Sequence, residues 1–259
     1  MSPDSLGDKL PLPYVAAHRG ASRLAPENTL TAFSAALDRG ALAIELDVHL
    51  SADGRAVVIH DDLVDRTTDG QGQVSRTSYA ELKRLDAGSW WSAQFSGERL
   101  PLLDEVFEMA QGRAVLHVEL KGPGVDILAA QVVDLARRFG ASHQIVVMSF
   151  DLDAVLAARR HAPDIPAIAI LGETLPNPVG FVEATGLSGL NQAVQRWVPS
   201  TVQEFHKRGW LVHGSLVNDQ DEVDRFFALG GDMVDSDSPD CWPGERYRAA
   251  RLLMRRPVL

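Results

Sequence analysis

Apolar runs of two kinds alternate along most of the chain. Short continuous runs read as buried strands, and longer stretches with apolar residues three or four apart read as helices. Tyr14 to Ala17 is the first strand. Asn28 to Arg39 follows as a helix with Leu30, Phe33, Ala36 and Leu37 on one face, and Gly40 ends it. Leu42 to Val48 is the second strand, and the turn Ser51-Ala52-Asp53-Gly54 leads into Arg55 to Ile59.

Residues 61–100, rich in Asp, Gly, Ser and Thr, break this rhythm, with one short helix at Tyr79 to Arg84. The alternation then resumes as helix Leu103 to Ala110, strand Ala114 to Val118, helix Val125 to Phe139, strand Gln144 to Met148, helix Asp151 to Arg160 and strand Ala167 to Leu171. It runs on thinly as helix Val179 to Ala184, a run at Leu187 to Leu190, helix Thr201 to Lys207, strand Trp210 to His213, helix Glu222 to Leu229 and strand Asp232 to Asp235. About eight parallel-strand candidates predict an α/β fold, a TIM-type (β/α)8 barrel. An open doubly wound sheet is the alternative, but His18-Arg19-Gly20-Ala21 is no Gly-rich phosphate loop. The whole chain, 1–259, reads as one domain, with 61–100 as a rim insertion after the second strand region.

Charges recur at one end of these runs. His18-Arg19-Gly20 closes the first, Glu45 and Asp47 lie within the second, and His60-Asp61 and Glu119-Leu120-Lys121 close two more. Apolar runs tolerate charges only when these are paired, metal-bound or facing a polar cavity. Two imidazoles, three carboxylates and two cations on one rim suit metal-assisted attack on a phosphate ester.

Composition narrows the field. With 259 residues and 45% hydrophobic content the chain can build one large core, and its net charge of -10 without a long basic run argues against nucleic acid and anionic membranes as partners. The lone cysteine, Cys241, excludes an internal disulfide and reads as an unpaired residue of a reducing compartment. Met1 to Pro13 lacks a signal-peptide apolar run, and nothing approaches the roughly 18 apolar residues of a membrane span. A cytoplasmic protein is expected.

Glu45 and Asp47, two apart on a strand, point to one face. On a lumen wall they would repel unless a cation lay between them, whereas on an edge strand they would be a solvated polar face. Glu119 favours the lumen, because Val115, Leu116, Val118 and Leu120 make exposure of its strand unsuitable. His18 and His60 are candidates for proton transfer, and His49, in phase with Asp47, for a supporting place on the rim. His117 is expected to be a barrel-interior side chain only. Arg19 and Lys121 could clamp phosphate or pair with the carboxylates. Asp61, Arg66 and Asp69 read as loop-organising charges, and Trp90-Trp91 as packing the excursion onto the barrel.

These residues resemble the glycerophosphodiester phosphodiesterase family. The likeness runs through His18-Arg19-Gly20, Pro26-Glu27-Asn28-Thr29, Ala32-Phe33, Gly40-Ala41, Ile44-Glu45-Leu46-Asp47-Val48, Asp53-Gly54, His60-Asp61 and Arg66-Thr67-Thr68-Asp69-Gly70. It continues through Leu85-Asp86-Ala87-Gly88, Pro101-Leu102-Leu103-Asp104-Glu105 and Glu119-Leu120-Lys121, and more loosely at Ser149-Phe150-Asp151 and 235–239. It implies a divalent cation, Ca2+ or Mg2+, held by Glu45, Asp47 and Glu119, with His18 and His60 as acid–base pair and Arg19 and Lys121 on the phosphate. The expected partner is a small-molecule phosphodiester, cleaved to sn-glycerol 3-phosphate and an alcohol, with His18 as base and His60 as acid. Where the family often carries Trp-Thr-Val-Asn, this chain has Ser215-Leu216-Val217-Asn218. A small hydroxyl in place of an aromatic changes the pocket for the alcohol part of the substrate and leaves room for something larger than glycerol, which keeps lysophospholipids and sugar-linked phosphodiesters as alternatives. A binding protein without activity is a further alternative, against which the two histidines speak.

Overall fold

The computed structural model describes residues 12–242. Eight parallel strands close into a barrel: β1 (Tyr14–Ala17), β2 (Ala43–Leu50), β4 (Val115–Leu120), β5 (Ile145–Ser149), β6 (Ala167–Ile170), β7 (Gly189–Gln192), β8 (Leu211–Gly214) and β9 (Met233–Ser236). The order β1-β9-β8-β7-β6-β5-β4-β2 returns to β1 through the pairs Ala16–Ala43 and Ala17–Ile44. The strand-and-helix reading of a TIM-type barrel holds.

One strand differs from expectation. The run at Arg55 to Ile59 is β3 (Ala56–Val58), antiparallel to β2 through Val48–Val58, His49–Val57 and Leu50–Ala56. It is a return strand outside the barrel, so His60 does not lie at the C-terminal end of a parallel strand. Ile59 N–H donates to Asp47 O at 3.0 Å, which carries His60 back to the level of Asp47. The hairpin thus delivers to the mouth a side chain that strand counting assigns there for the wrong reason.

Alternation along each strand sorts the core into two layers. Leu116, Val118 and Leu120 of β4 join Ile44, Leu46 and Val48 of β2 in the large cluster packed under the helices. Tyr14, Val115, Ile168, Leu211 and Met233 belong to a second cluster that fills the lumen. The lumen phase of β2 and β4 therefore also carries Glu45, Asp47, His117 and Glu119, all buried. The lumen passes from apolar at its lower end to ionisable at its mouth.

The helices are α1 (Leu30–Asp38), α2 (Tyr79–Leu82), α3 (Leu103–Ala110), α4 (Val125–Arg138), α5 (Leu152–His161), α6 (Pro178–Thr185), α7 (Pro199–Lys207) and α8 (Gln220–Leu229). Helix α1 starts two residues later than its pattern predicts. Thr29 is its N-cap, its hydroxyl accepting from Ala32 N–H at 3.2 Å, and Asn28 stands outside with φ 58°. Strand β7 begins two residues after the run at Leu187, so the polar pair Asn191 and Gln192 belongs to the barrel wall.

Residues 61–100 carry α2 and two 3-10 turns over a cluster of Ile59, Val64, Val74, Tyr79, Leu82 and Leu100. The two tryptophans make polar and ring contacts inside this segment. Trp91 stands edge-on to Phe95 and Trp90 Nε1 donates to Ala87 O at 2.9 Å, both within the excursion itself. Cys241 is free and buried. The segment read for a signal sequence lies, but for its last two residues, outside the described residues. Among the described residues, no helix is long and apolar enough to cross a membrane.

Candidate active site

The site is assembled from strand ends and the turns that follow them. His18 comes directly after β1, its N–H bonded to Ser236 O at 3.0 Å. The chain then turns through left-handed conformations at Arg19 (φ 56°) and Gly20 (φ 77°). A Cβ at Gly20 would meet the Ala32 carbonyl carbon and the Phe33 ring at 2.8 Å, so only glycine lets the turn rest on α1. The turn also aims the Arg19 N–H at Glu45 Oε2, 2.8 Å away.

Asp47 of β2 and Glu119 of β4 are register partners across neighbouring strands. Glu45, Asp47 and Glu119 each offer an oxygen within 4.8 Å of the others, and all three are buried. Lys121 Nζ reaches Glu119 Oε1 at 2.7 Å and Asp47 Oδ1 at 3.3 Å. Arg19 contacts Glu27 Oε1 through Nη1 at 2.9 Å, and its Nε lies 3.5 Å from Asp47 Oδ2. Asn28 Nδ2 donates to Asp47 Oδ2 at 2.8 Å.

Burial and the Asp47 charge push the Glu45 carboxyl well above its usual range, and the same two causes push Glu119 up to about 7. Asp47 goes the other way. Burial would raise it, but Lys121, Arg19 and the Asn28 hydrogen bond hold it below its ordinary value. Asp47 Oδ1 accepts no hydrogen bond in spite of its burial. A set of crowded, desolvated carboxylate oxygens with one orphaned atom fits a hard dication of the calcium or magnesium type.

The two histidines reach this group from different sides of the turn structure. His18 Nδ1 lies 2.7 Å from Asp237 Oδ1, and its Nε2 is 3.8 Å from Glu45 Oε2. Burial disfavours its charge, but the Asp237 bond and the Glu45 charge outweigh it, and the imidazolium persists up to about 9. His60 Nδ1 meets Asp61 Oδ1 at 2.5 Å, and Arg66 in turn holds Asp61 through Nε at 2.6 Å. Asp61 and Arg66 are therefore more than loop organisers, since they fix the ring of His60. His49 Nε2 donates to the His60 carbonyl at 3.0 Å, a supporting contact made through the backbone.

A cavity of about 280 Å3 is lined by His18, Arg19, Glu45, His60, Glu119 and Lys121 among others. A second recess of about 580 Å3 shares His60, Glu119, Lys121 and Phe150 with it and extends past Leu63 and Asp151. Of the seven candidates, six line the first cavity, and Asp47 sits beneath them, bonded to Asn28 and beside Lys121.

The family model for glycerophosphoryl diester phosphodiesterases matches residues 18–241. The chain belongs to that family. It is an enzyme, a phosphoric diester hydrolase. A glycerophosphodiester phosphodiesterase of Caldanaerobacter subterraneus is 32% identical over 232 residues, covering 87% of this chain and 94% of its own length. One from Bacillus altitudinis is 30% identical over 233 residues, with 86% and 94% covered. Among solved structures, an Oleispira antarctica phosphodiesterase in complex with its product sn-glycerol-3-phosphate is 31% identical. Its TM-score is 0.81, with 92% of this chain and 97% of that one covered. A glycerophosphodiester phosphodiesterase from Agrobacterium tumefaciens, also 31% identical, has TM-score 0.80 with 90% and 99% covered.

Within this family frame, three residues around the site escaped a reading of the sequence. Asn28 looks like a helix start, yet its side chain serves Asp47. Asp237 follows β9 and pairs with His18, and Asn218 steadies it, with Nδ2 donating to Asp237 Oδ2 at 3.0 Å and Oδ1 accepting from Asp237 N–H at 2.8 Å. The only signal for Asp237 was the run of small and acidic residues from Asp235 to Ser238.

Proposed function

We propose that the enzyme hydrolyses glycerophosphodiesters to sn-glycerol 3-phosphate and an alcohol, with His18 and His60 as the proton-transfer pair. The observation that carries this reading is that both imidazoles border the same cavity as Glu45, Glu119, Arg19 and Lys121. A non-catalytic binder would have no use for two proton-transfer groups on one phosphate-sized space.

Glu45, Asp47 and Glu119 would hold a Ca2+ or Mg2+ ion, which supplies positive charge to a phosphate oxygen as negative charge develops there. Arg19 and Lys121 bind the phosphate oxygens. Arg19 borders the cavity while its Nε rests 3.5 Å from Asp47 Oδ2 and its Nη1 on Glu27. Water attacks phosphorus, a new P–O bond forms, and the bond to the alcohol oxygen breaks.

The surroundings favour roles opposite to those expected from the sequence. Asp61 accepts from His60 Nδ1 at 2.5 Å, which fixes the ring and leaves Nε2 of His60 as the atom that would take the proton from the nucleophile. Asp237 at 2.7 Å and Glu45 at 3.8 Å favour the imidazolium of His18, which protonates the departing alkoxide. Release of glycerol 3-phosphate from glycerophosphocholine, by wild type and by His18→Ala and His60→Ala, tests the reading. Wild-type rates in either variant would end it.

A second reading concerns the glycerol side of the substrate. Leu63, Phe150 and Leu216 border the two recesses and are 46%, 61% and 46% exposed. An apolar rim around a phosphate site favours a substrate with an acyl chain on its glycerol, as in a lysophospholipid, which would yield an acylated glycerol phosphate and the headgroup alcohol. Comparing glycerophosphocholine with lysophosphatidylcholine decides between them.

A further inference from the structure

Below the carboxylates, the lumen holds a second ionisable group that the hydrolysis does not use. His117 of β4, His213 of β8 and Asp235 of β9 are all buried, and each offers a ligating atom within 4.8 Å of the others. Asp235 faces one imidazole with each oxygen. His117 Nδ1 lies 3.3 Å from Oδ1, and His213 Nε2 lies 3.0 Å from Oδ2.

The two rings are held differently. Tyr14 Oη lies 2.8 Å from His117 Nε2 and 3.0 Å from Met233 Sδ. The two contacts of the Tyr14 hydroxyl tie the far nitrogen of His117 to β1 and β9. His117 Nδ1 is hydrogen-bonded to Asp235 Oδ1 at 3.3 Å, so a cation here would take the place of the Nδ1 proton. His213 is wholly buried, and neither of its ring nitrogens makes a hydrogen bond, although Nε2 is in ion-pair range of Asp235. Two imidazole nitrogens and a carboxylate thus face one another in the lumen, and the buried His213 ring has no hydrogen-bond partner.

We propose that His117, His213 and Asp235 form a second cation site, for a divalent first-row transition ion such as zinc. Two imidazole nitrogens and one carboxylate are a borderline donor set that favours such an ion over calcium or magnesium, in contrast to the all-oxygen group above it. A tetrahedral ion with bonds of 2.0–2.2 Å sets its ligand atoms about 3.4 Å apart. The two nitrogen–oxygen separations, 3.3 Å to Oδ1 and 3.0 Å to Oδ2 of Asp235, are of that size, each to a different oxygen. The outer contacts suit the role. Tyr14 holds the far nitrogen of His117, Asn191 Nδ2 donates to Asp235 Oδ2 at 3.3 Å, and Ser215 Oγ donates to Asn191 Oδ1 at 2.6 Å. Asp235 also lines the 280 Å3 cavity, which gives an ion a route in from the mouth. The bound ion would tie β4 to β8 and β9 across the lumen, a stabilising rather than a hydrolytic role.

The test is a cobalt titration of the metal-stripped full chain in saturating calcium, which holds the oxygen site. The expected result is one Co2+ per chain with the intense visible bands of a low-coordinate, nitrogen-ligated ion, together with a rise in melting temperature. The bands should vanish in His213→Gln and His117→Asn and persist in Glu45→Gln. No bound cobalt, or bands that survive in His213→Gln and fail in Glu45→Gln, would overturn the proposal in favour of imidazolium–carboxylate pairs. Cadmium-113 NMR of the unaltered chain in calcium needs no variant to fold. A resonance in the nitrogen-ligated range supports the site, and oxygen-range signals alone refute it.

Discussion

Asn28 grips Asp47 twice, donating from Nδ2 to Oδ2 at 2.8 Å and accepting the Asp47 backbone N–H on Oδ1 at 3.3 Å. The first contact orients the carboxylate, and the second locks the side chain of Asn28 to the strand that carries it. Oδ1 of Asp47 is thereby turned towards Glu45, Glu119 and the Lys121 ammonium. Asn28→Ala should therefore weaken calcium binding by roughly 10–100-fold, the usual cost of losing a group that orients a metal ligand. Calorimetric titration with calcium checks it, and an unchanged affinity would show that Asp47 needs no such support.

His18→Ala and His60→Ala should each lower turnover by about 10²–10⁴-fold, the span contributed by a positioned acid or base. The fold should survive both, because each ring is partly exposed at the mouth and neither belongs to the apolar clusters. Release of glycerol 3-phosphate gives the rate, and circular dichroism gives the fold.

The charge around His18 sets a pH limb. The imidazolium is the form that donates, and it persists up to about 9, so activity should fall as pH rises through that value. Burial alone would lower the pKa, and the hydrogen bond to Asp237 is the largest influence opposing it. Asp237→Asn should move the alkaline limb of kcat/KM downward by about one unit or more. A limb that stays in place would remove His18 from the role of acid.

These roles were legible in the sequence to different degrees, for identifiable reasons. Glu45, Asp47 and Glu119 stand out because alternate charges in otherwise apolar strands have few places to go except a lumen. His60 was readable as a site residue while its strand was not. A three-residue antiparallel return and a short parallel strand look alike in composition, and only pairing with β2 tells them apart. The polar residues Asn191 and Gln192 imitate a loop, although Gly189 before them packs so closely that a Cβ would meet Leu211 O at 2.2 Å. Asn28 carries two meanings at once, since a polar residue before an amphipathic run reads as a cap. His117 and His213 lie 96 positions apart in the chain, and only closure of the barrel brings their rings to 5.0 Å. Residues that act alone on a regular element were thus visible, and residues that act through a partner from another element were not.

The apolar rim gives a substrate prediction. If Leu63 and Phe150 receive an acyl chain, Phe150→Ser should raise KM for lysophosphatidylcholine by about 10-fold or more while leaving glycerophosphocholine nearly unchanged. Removing most of an aromatic side chain from such a contact forfeits roughly 1.5–3 kcal/mol of apolar burial. Equal effects on both substrates would place Phe150 at the part the two share rather than at the acyl chain.

Calcium binding should itself be pH dependent, and the sign follows from the carboxylates. In the metal-free fold, Glu119 is pushed up to about 7 by burial and by Asp47, and Glu45 is raised by the same causes. A carboxyl with a raised folded-state pKa binds its proton more tightly folded than unfolded. It favours the fold at low pH and loses that contribution as pH rises through the folded value. A dication competes for the same oxygens, so protons must leave before it binds. The rise in melting temperature on adding calcium should therefore be small near pH 5.5 and grow through pH 7 to a plateau near pH 8. Differential scanning fluorimetry at fixed calcium over that range reads it directly. Glu119→Gln removes the group that titrates near 7, so the growth of the shift across neutral pH should flatten along with the loss of affinity. A calcium shift equal at pH 5.5 and pH 8 in the wild type would mean that the ion does not bind through these carboxylates.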